Sequence, residues 1–178
     1  MSEQVIVEEY NPNWKSKYSK IREDILEKIG DFVVEIEHIG STAIPGLASK
    51  PIIDVMIGTQ SLEDADKCIP RIIEMNFEYV KEHEKVLPNR RFFRKPVKGL
   101  GQREYHIHMV VFNDEFWKRQ LLFRDYLITH PKVLKAYEEL KRKLALKFKD
   151  NRQAYSDGKD DFIQKILIEA QNEFELQQ

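Results

Sequence analysis

Apolar and polar positions along the chain change period several times, and each change marks an element. Val5 to Glu9 alternates apolar and polar residues, the pattern of a first strand. Trp14, Tyr18, Ile21, Ile25 and Ile29 then recur at helical spacing. Asn11 is placed to cap this helix, Pro12 falls where its missing N–H costs nothing, and Gly30 ends it. Phe32 to His38 is β-rich, and Ile52 to Ile57 is almost continuously apolar, as in a strand covered on both faces. Ser61-Leu62-Glu63-Asp64 reads as the capping box of a helix running to about Met75. Three more strands are expected at Phe77 to Lys81, Arg90 to Pro96 and Glu104 to Phe112, the last two joined by a turn around Lys98-Gly99-Leu100-Gly101. Everything after Asp114 is helical in period: Glu115 to His130, Pro131 to Lys149, and an amphipathic segment to Phe174 with a weak point at Asp157-Gly158. Strands mixed with helices, followed by helices alone, predict one α+β domain over residues 1–178. Its sheet is mixed or mainly antiparallel, with a helical layer and C-terminal helices folded back over it.

Composition narrows the function classes. With 42% hydrophobic and 33% charged residues in 178, the chain is long and apolar enough to bury a core, which sets disorder aside. Its apolar runs are broken by charge well short of a membrane span, and MSEQVIVEEY lacks the basic-then-apolar order of a signal peptide, so no membrane and a cytoplasmic location are expected. A single cysteine, Cys68, in the apolar phase of a helix, reads as a buried inert thiol. A formal net charge of -1 gives no global field toward nucleic acid, which is not expected as a partner. Charge is uneven, however: residues 115–152 hold eleven Lys or Arg against five Asp or Glu, while residues 1–37 hold five against nine. That excess is either a set of solvated helix faces or a local basic wall for a polyphosphate.

The stretch HIGSTAIPGLASKPIIDVMIG, from His38 to Gly58, carries the candidate chemistry. Alternation places Asp54 and Met56 on one face of a strand and Ile53, Val55 and Ile57 on the other. A carboxylate in so apolar a run needs a partner, either a divalent cation or a Lys, Arg or backbone N–H in a structural network. Upstream, Gly40-Ser41-Thr42 follows a strand directly, where a small residue lets backbone N–H groups approach an anion. Lys50, just before the second strand, is placed to pair with Asp54 or with a phosphate. His106-Ile107-His108 puts two imidazoles on one strand face. They are either hydrogen-bonded core or surface histidines or, if that strand neighbours Ile52 to Ile57, partners of Asp54 in holding a metal or a substrate proton.

These segments resemble the GrpB family, within the nucleotidyltransferase-like superfamily. The residues that carry the resemblance are Tyr10-Asn11-Pro12-Asn13-Trp14, the run from Glu37 to Asp54, His106-Ile107-His108, Phe123-Arg124-Asp125-Tyr126-Leu127, His130-Pro131, Tyr137, Leu140-Lys141 and the segment from Asp150 to Phe162 with Tyr155 and Lys159. The resemblance implies a nucleotidyltransferase-like fold in which Gly40, Ser41 and Thr42 meet phosphates and Asp54 is the first metal carboxylate, with Mg2+ or another divalent cation as cofactor. Members of that superfamily generally carry a second acid two residues later, and here that position is Met56, a soft thioether that cannot replace a carboxylate toward magnesium. Asp54, His106 and His108 are therefore the candidate metal set, and Asp54 and His108 the candidate catalytic pair. Tyr137 and Lys141, four apart on one helical face, are candidates to close the pocket, with Arg94, Arg103 and Lys159 as further neutralising groups. Asp125 and Tyr126 are expected to serve packing. The implied guest is a nucleotide or another phosphate-containing small molecule. GrpB-like domains also occur fused to dephospho-coenzyme A kinase, which adds an adenine-bearing coenzyme as a ligand class. Two functions are consistent with this pattern, a transferase acting on a nucleoside triphosphate and a catalytically inactive nucleotide- or coenzyme-binding module. A protein-interaction domain is the third.

Overall fold

The computed structural model describes residues 4–96 and 103–176. Helix α1 (Asn13–Ile29) leads into β1 (Val33–Ile39) and β2 (Ile53–Thr59), and α2 (Leu62–Glu74) leads into β3 (Glu78–Tyr79), β4 (Arg91–Lys95) and β5 (Tyr105–Val111). Four helices follow: α3 (Glu115–Thr129), α4 (Pro131–Lys147), α5 (Arg152–Asp157) and α6 (Asp160–Leu176). The strands form one sheet in the order β1-β2-β5-β4-β3. The β2–β5 pair is parallel, and the β1–β2, β5–β4 and β4–β3 pairs are antiparallel. The α+β class and the mixed sheet expected from the pattern are thus the observed ones.

Local chemistry explains the boundaries. The Asn13 N–H donates to the Asn11 side chain at 3.0 Å, the Asp64 N–H to Ser61 Oγ at 3.1 Å, and the Trp117 N–H to Asp114 at 2.7 Å, each satisfying a donor that a helix start leaves open. Gly158 separates α5 from α6 at the weak point seen in the sequence. One face of the sheet packs Ile53, Val55, Ile57, Ile107 and Met109 against Ile21, Ile25 and Ile29 of α1 and against Ala65, Cys68 and Ile72 of α2. Each large aliphatic side chain buried there stabilises the fold by about 1.5–3 kcal/mol. Cys68 is fully buried and its thiol is pushed up to about 11 by burial, in keeping with an inert role.

Two expectations on element placement change. Val5 to Glu9 is not a strand: Glu8 forms a single bridge with Ser49, and the Val5 N–H donates to the Lys149 carbonyl. The segment is extended, but it lies across two parts of the chain and never pairs along one. The strand expected at Phe77 to Lys81 shrinks to Glu78–Tyr79, since Val80 passes into a short 3-10 turn. The turn expected around Lys98 to Gly101 lies outside the described residues. Among those described, no helix is long and apolar enough to cross a membrane.

Candidate functional site

The register of three strands builds the site. Ile39 of β1 and His106 of β5 both lie opposite Asp54 of β2, and His108 lies opposite Met56. Facing residues share a side of the sheet, so Asp54, His106 and His108 emerge together on the face turned away from α1 and α2. His106 Nδ1 is 3.0 Å and His108 Nε2 is 3.3 Å from the same Asp54 oxygen, Oδ1. Burial pushes the Asp54 carboxyl up, but hydrogen bonds from both imidazoles outweigh it and hold the group well below the usual carboxylate range. An ionised carboxylate only accepts, so both rings donate to it. Burial also lowers His108 to about 4, leaving it neutral near pH 7 with one ring proton. Arg90 Nη1 lies 3.1 Å from His108 Nδ1. A guanidinium has no acceptor, so His108 Nδ1 accepts and its proton sits on Nε2, facing Asp54. His106 Nε2 is buried without a hydrogen-bond partner.

The turn after β1 abuts this acid. Gly40 has φ +71 and ψ -175, and a Cβ built on it would stand 2.5 Å from Asp54 Oδ2. Ser41 follows in a 3-10 turn whose Ala43 and Ile44 N–H groups donate back to Gly40 and Ser41 carbonyls. A cavity of about 540 Å³ opens between this face of the sheet and the C-terminal helices. Gly40, Ser41, Lys50, Asp54, His106 and His108 line it from the sheet side. Phe116, Gln120 and Phe123 of α3, Tyr137 and Lys141 of α4, Tyr155 of α5 and Lys159 close it from the other.

Three amines converge there. Lys50 Nζ lies 5.0 Å and Lys159 Nζ 4.8 Å from the Tyr155 ring centre, and Lys141 Nζ lies 5.1 Å from that of Tyr137. Lys141 is only 1% exposed and donates to the Ala48 carbonyl. Burial, then the charges of Lys159 and Lys50, bring its amine down to about 7 against the pull of Glu138. Burial and Lys50 lower Lys159 to about 8, with Asp54 pulling the other way. Lys50 is lowered too, by burial first and against the pull of Asp54. None of the three forms an ion pair among the described residues.

Most residues singled out in the sequence meet at this cavity, and three do not. Thr42 is buried away from it, its hydroxyl donating to the Ile52 carbonyl and paired with His38 Nε2, because the 3-10 turn carries its side chain beneath the loop. Arg94 is held by Glu78 in a two-pronged ion pair, and Arg103 is not part of the lining. Arg124 does line the cavity, tied to Glu37 and to the His38 carbonyl. Sequence reasoning missed Arg90 and the α3 face. Phe116, Gln120 and Phe123 sit at helical spacing, a readable signal, but nothing in the sequence says that this face covers the sheet.

Asp54, His106 and His108 bring ligand-type atoms within 4.8 Å of one another, yet their surroundings do not fit the divalent cation that the resemblance implies. Met56, where a second acid would stand, is fully buried against Ile39, Val110 and Trp117. A metal-bound histidine donates its other ring N–H to an acceptor. Here the other nitrogen of His108 faces a guanidinium, and that of His106 has no partner.

The mixed α+β fold that carries this site is shared with known proteins. The chain belongs to the GrpB family: the GrpB protein model matches residues 4–169. It is 36% identical over 154 residues to UPF0157 protein YqkA of Bacillus subtilis, covering 86% of this chain and 43% of that one. Against Glutamate-rich protein GrpB of Alkalihalophilus pseudofirmus it is 33% identical over 168 residues, 93% of this chain and 95% of the other. The crystal structure of conserved protein GrpB from Enterococcus faecalis superposes with a TM-score of 0.85 and 34% identity over 95% of this chain and 99% of that one. This chain thus spans under half of YqkA and nearly all of the other two.

Proposed function

We propose that this chain binds a nucleotide or a related phosphate ester in the cavity, its phosphates lying between the Gly40-Ser41 turn and the amines of Lys50, Lys141 and Lys159. The observation that supports this reading is the trio of amines. Each is held below its ordinary range largely by burial, and Lys141 and Lys159 also by neighbouring amines, without a paired acid. A multiply charged anion relieves that penalty, because it favours the protonated form of every amine it touches. The volume suits a small-molecule site, and Phe116 and Phe123 add aromatic surface to its lining. Group transfer is a second reading, favoured by the ionised Asp54 at the cavity wall, and it would make the family's implied nucleotidyl or phosphoryl chemistry an activity of this chain. Nucleoside triphosphates, coenzyme A and dephospho-coenzyme A tested by thermal shift and calorimetry should include at least one that raises the melting temperature. Lys141→Met and Lys159→Met should each weaken it by about tenfold to a hundredfold, the worth of a charge-assisted contact of ~1.5–3 kcal/mol. A labelled triphosphate, supplied with Mg2+, with Mn2+ or in chelator, should yield product lost in Asp54→Ala if transfer occurs. No shift with any phosphate compound would leave a protein-interaction role in its place.

A further inference from the structure

We infer that Asp54, His106 and His108 form a cation-free hydrogen-bond relay locked by Arg90, and that the cavity takes its phosphate ester without a divalent ion bound to these side chains. The inference deepens the phosphate-ester reading and rests on it for the identity of the guest, while the cation measurement stands by itself.

The proton on His108 opposes a metal. To hold a metal through Nε2 its proton would have to move to Nδ1, where it would meet the Arg90 N–H head-on at 3.1 Å. Holding a metal through Nδ1 would require the guanidinium to leave. Arg90 is not placed to leave. Its guanidinium carbon lies 5.1 Å from the Phe92 ring centre and 5.5 Å from that of Phe116, and Nη2 lies 3.4 Å from His83 Nδ1. His83 is itself stacked on Phe92 at 4.5 Å and 5°. A cation between two aromatic rings, with two imidazole acceptors at its fork, is a held group rather than a mobile one.

Charge opposes a metal too. Asp54 is the one acid of the cluster, and the positive charges of Lys50, Arg90 and Lys159 all lie close enough to feel it. Without pairing with either lysine, the acid already sits in the field of three cations, and a divalent ion entering there would add charge where cations already outnumber carboxylates. The outer contacts oppose it as well: an ion shared with Asp54 through His106 Nδ1 and His108 Nε2 would leave His106 Nε2 without a partner and His108 Nδ1 against a guanidinium, so neither ring would keep the acceptor that orients a metal ligand. Arg90 is then a positioning residue. It fixes the tautomer of His108, which holds Asp54 by a donated hydrogen bond and leaves the carboxylate charge directed at Gly40 and the cavity.

Titrating the chelator-treated chain with Co2+, Zn2+ and Mn2+ tests this, Co2+ reporting ligation through its visible bands. The wild type should take up no equivalent of any of them. Arg90→Gln, whose amide oxygen can accept from a His108 Nδ1–H, should gain a site for Co2+ and Zn2+, and Asp54→Asn in that background should remove it. One equivalent bound by the wild type and lost in Asp54→Asn would overturn the inference, and silence in both wild type and Arg90→Gln would overturn Arg90 as the lock. Nitrogen-15 spectra of the wild-type imidazoles give a reading that needs no variant: the Nε2–H form at His108 is expected, and the Nδ1–H form would refute it. ATP binding measured in chelator should be no weaker than with Mg2+. If ATP and the other phosphates fail to bind under either condition, the phosphate-ester reading falls while the cation result keeps its meaning.

Discussion

Gly40 carries two constraints that no other residue type meets. Its φ of +71 with ψ of -175 belongs to a region that is essentially restricted to glycine, and its missing Cβ is the space in which Asp54 Oδ2 sits. Gly40→Ala should therefore lower stability by about 1–3 kcal/mol from backbone strain alone. It should also displace the Asp54 carboxylate from its imidazole donors. Gly46 is the control, with φ +81 but nothing within 4 Å of a built Cβ, so Gly46→Ala should show strain without any effect on the site. Denaturant melts of both variants, with ligand binding as the second reading, check this; equal losses of binding would separate Gly40 from the acid. At this scale the sequence was legible wherever a residue contradicted its surroundings. Asp54 stood out as a charge in an apolar run and His106-Ile107-His108 as a pair on one face. Thr42 was illegible because a turn, not a pattern, decides where its side chain goes. Arg90 was illegible because it precedes two more arginines within five residues, and spacing does not say that Arg91 and Arg94 go to Asp66 and Glu78 while Arg90 turns inward.

Among the elements, β2 decides what the site can be. Its outward face of Asp54, Met56 and Gly58 is polar only at its first position, because α3 lays Trp117 over the rest. Met56 is thus not an acid that could simply be restored. Met56→Asp should place an uncompensated carboxylate among Ile39, Val110 and Trp117 and cost roughly 3–5 kcal/mol, while creating no metal affinity. A melting temperature within a degree or two of the wild type would mean that this corner of the sheet is wetter than its packing indicates. The same element scale shows where periodicity runs out. The apolar run of β2 identified a strand covered on both faces, but the alternation at Val5 to Glu9 signalled only an extended backbone, since its partners, Ser49 and Lys149, are remote in sequence and leave no mark on the local pattern. Helix α3 was readable as a helix and not as a wall, because the face lining the cavity mixes Phe116 and Phe123 with Gln120.

Across the molecule, the sheet half supplies the turn, the acid and Lys50 while the C-terminal half supplies Lys141 and Lys159, and of these amines only Lys141 comes from the basic excess of residues 115–152. Only part of the basic excess is spent there: Arg142 is paired with Glu138 and Glu9, and Arg124 with Glu37 and Asp125. The unpaired amines make stability and binding depend on pH in opposite senses. Burial holds Lys141 at about 7 in the folded chain, whereas in the unfolded chain it titrates near 10.5. Below the lower value both states carry the proton and the native state bears the full cost of a dry ammonium. Between the two values the unfolded chain binds the extra proton, so stability rises with pH through that window and levels off above it. Lys159, at about 8, adds a second rise that begins later. An anion in the cavity reverses the preference, because it stabilises the protonated amines; its binding takes up protons and weakens as pH climbs through 7 and 8. Melting temperatures of the free protein should therefore rise from neutral to alkaline pH while the increment from a bound phosphate ester shrinks, and Lys141→Met should flatten the first trend and blunt the second. A free-protein melting temperature that falls steadily over that range, in wild type and Lys141→Met alike, would show that these amines stay hydrated and that the cavity is not built around a buried anion.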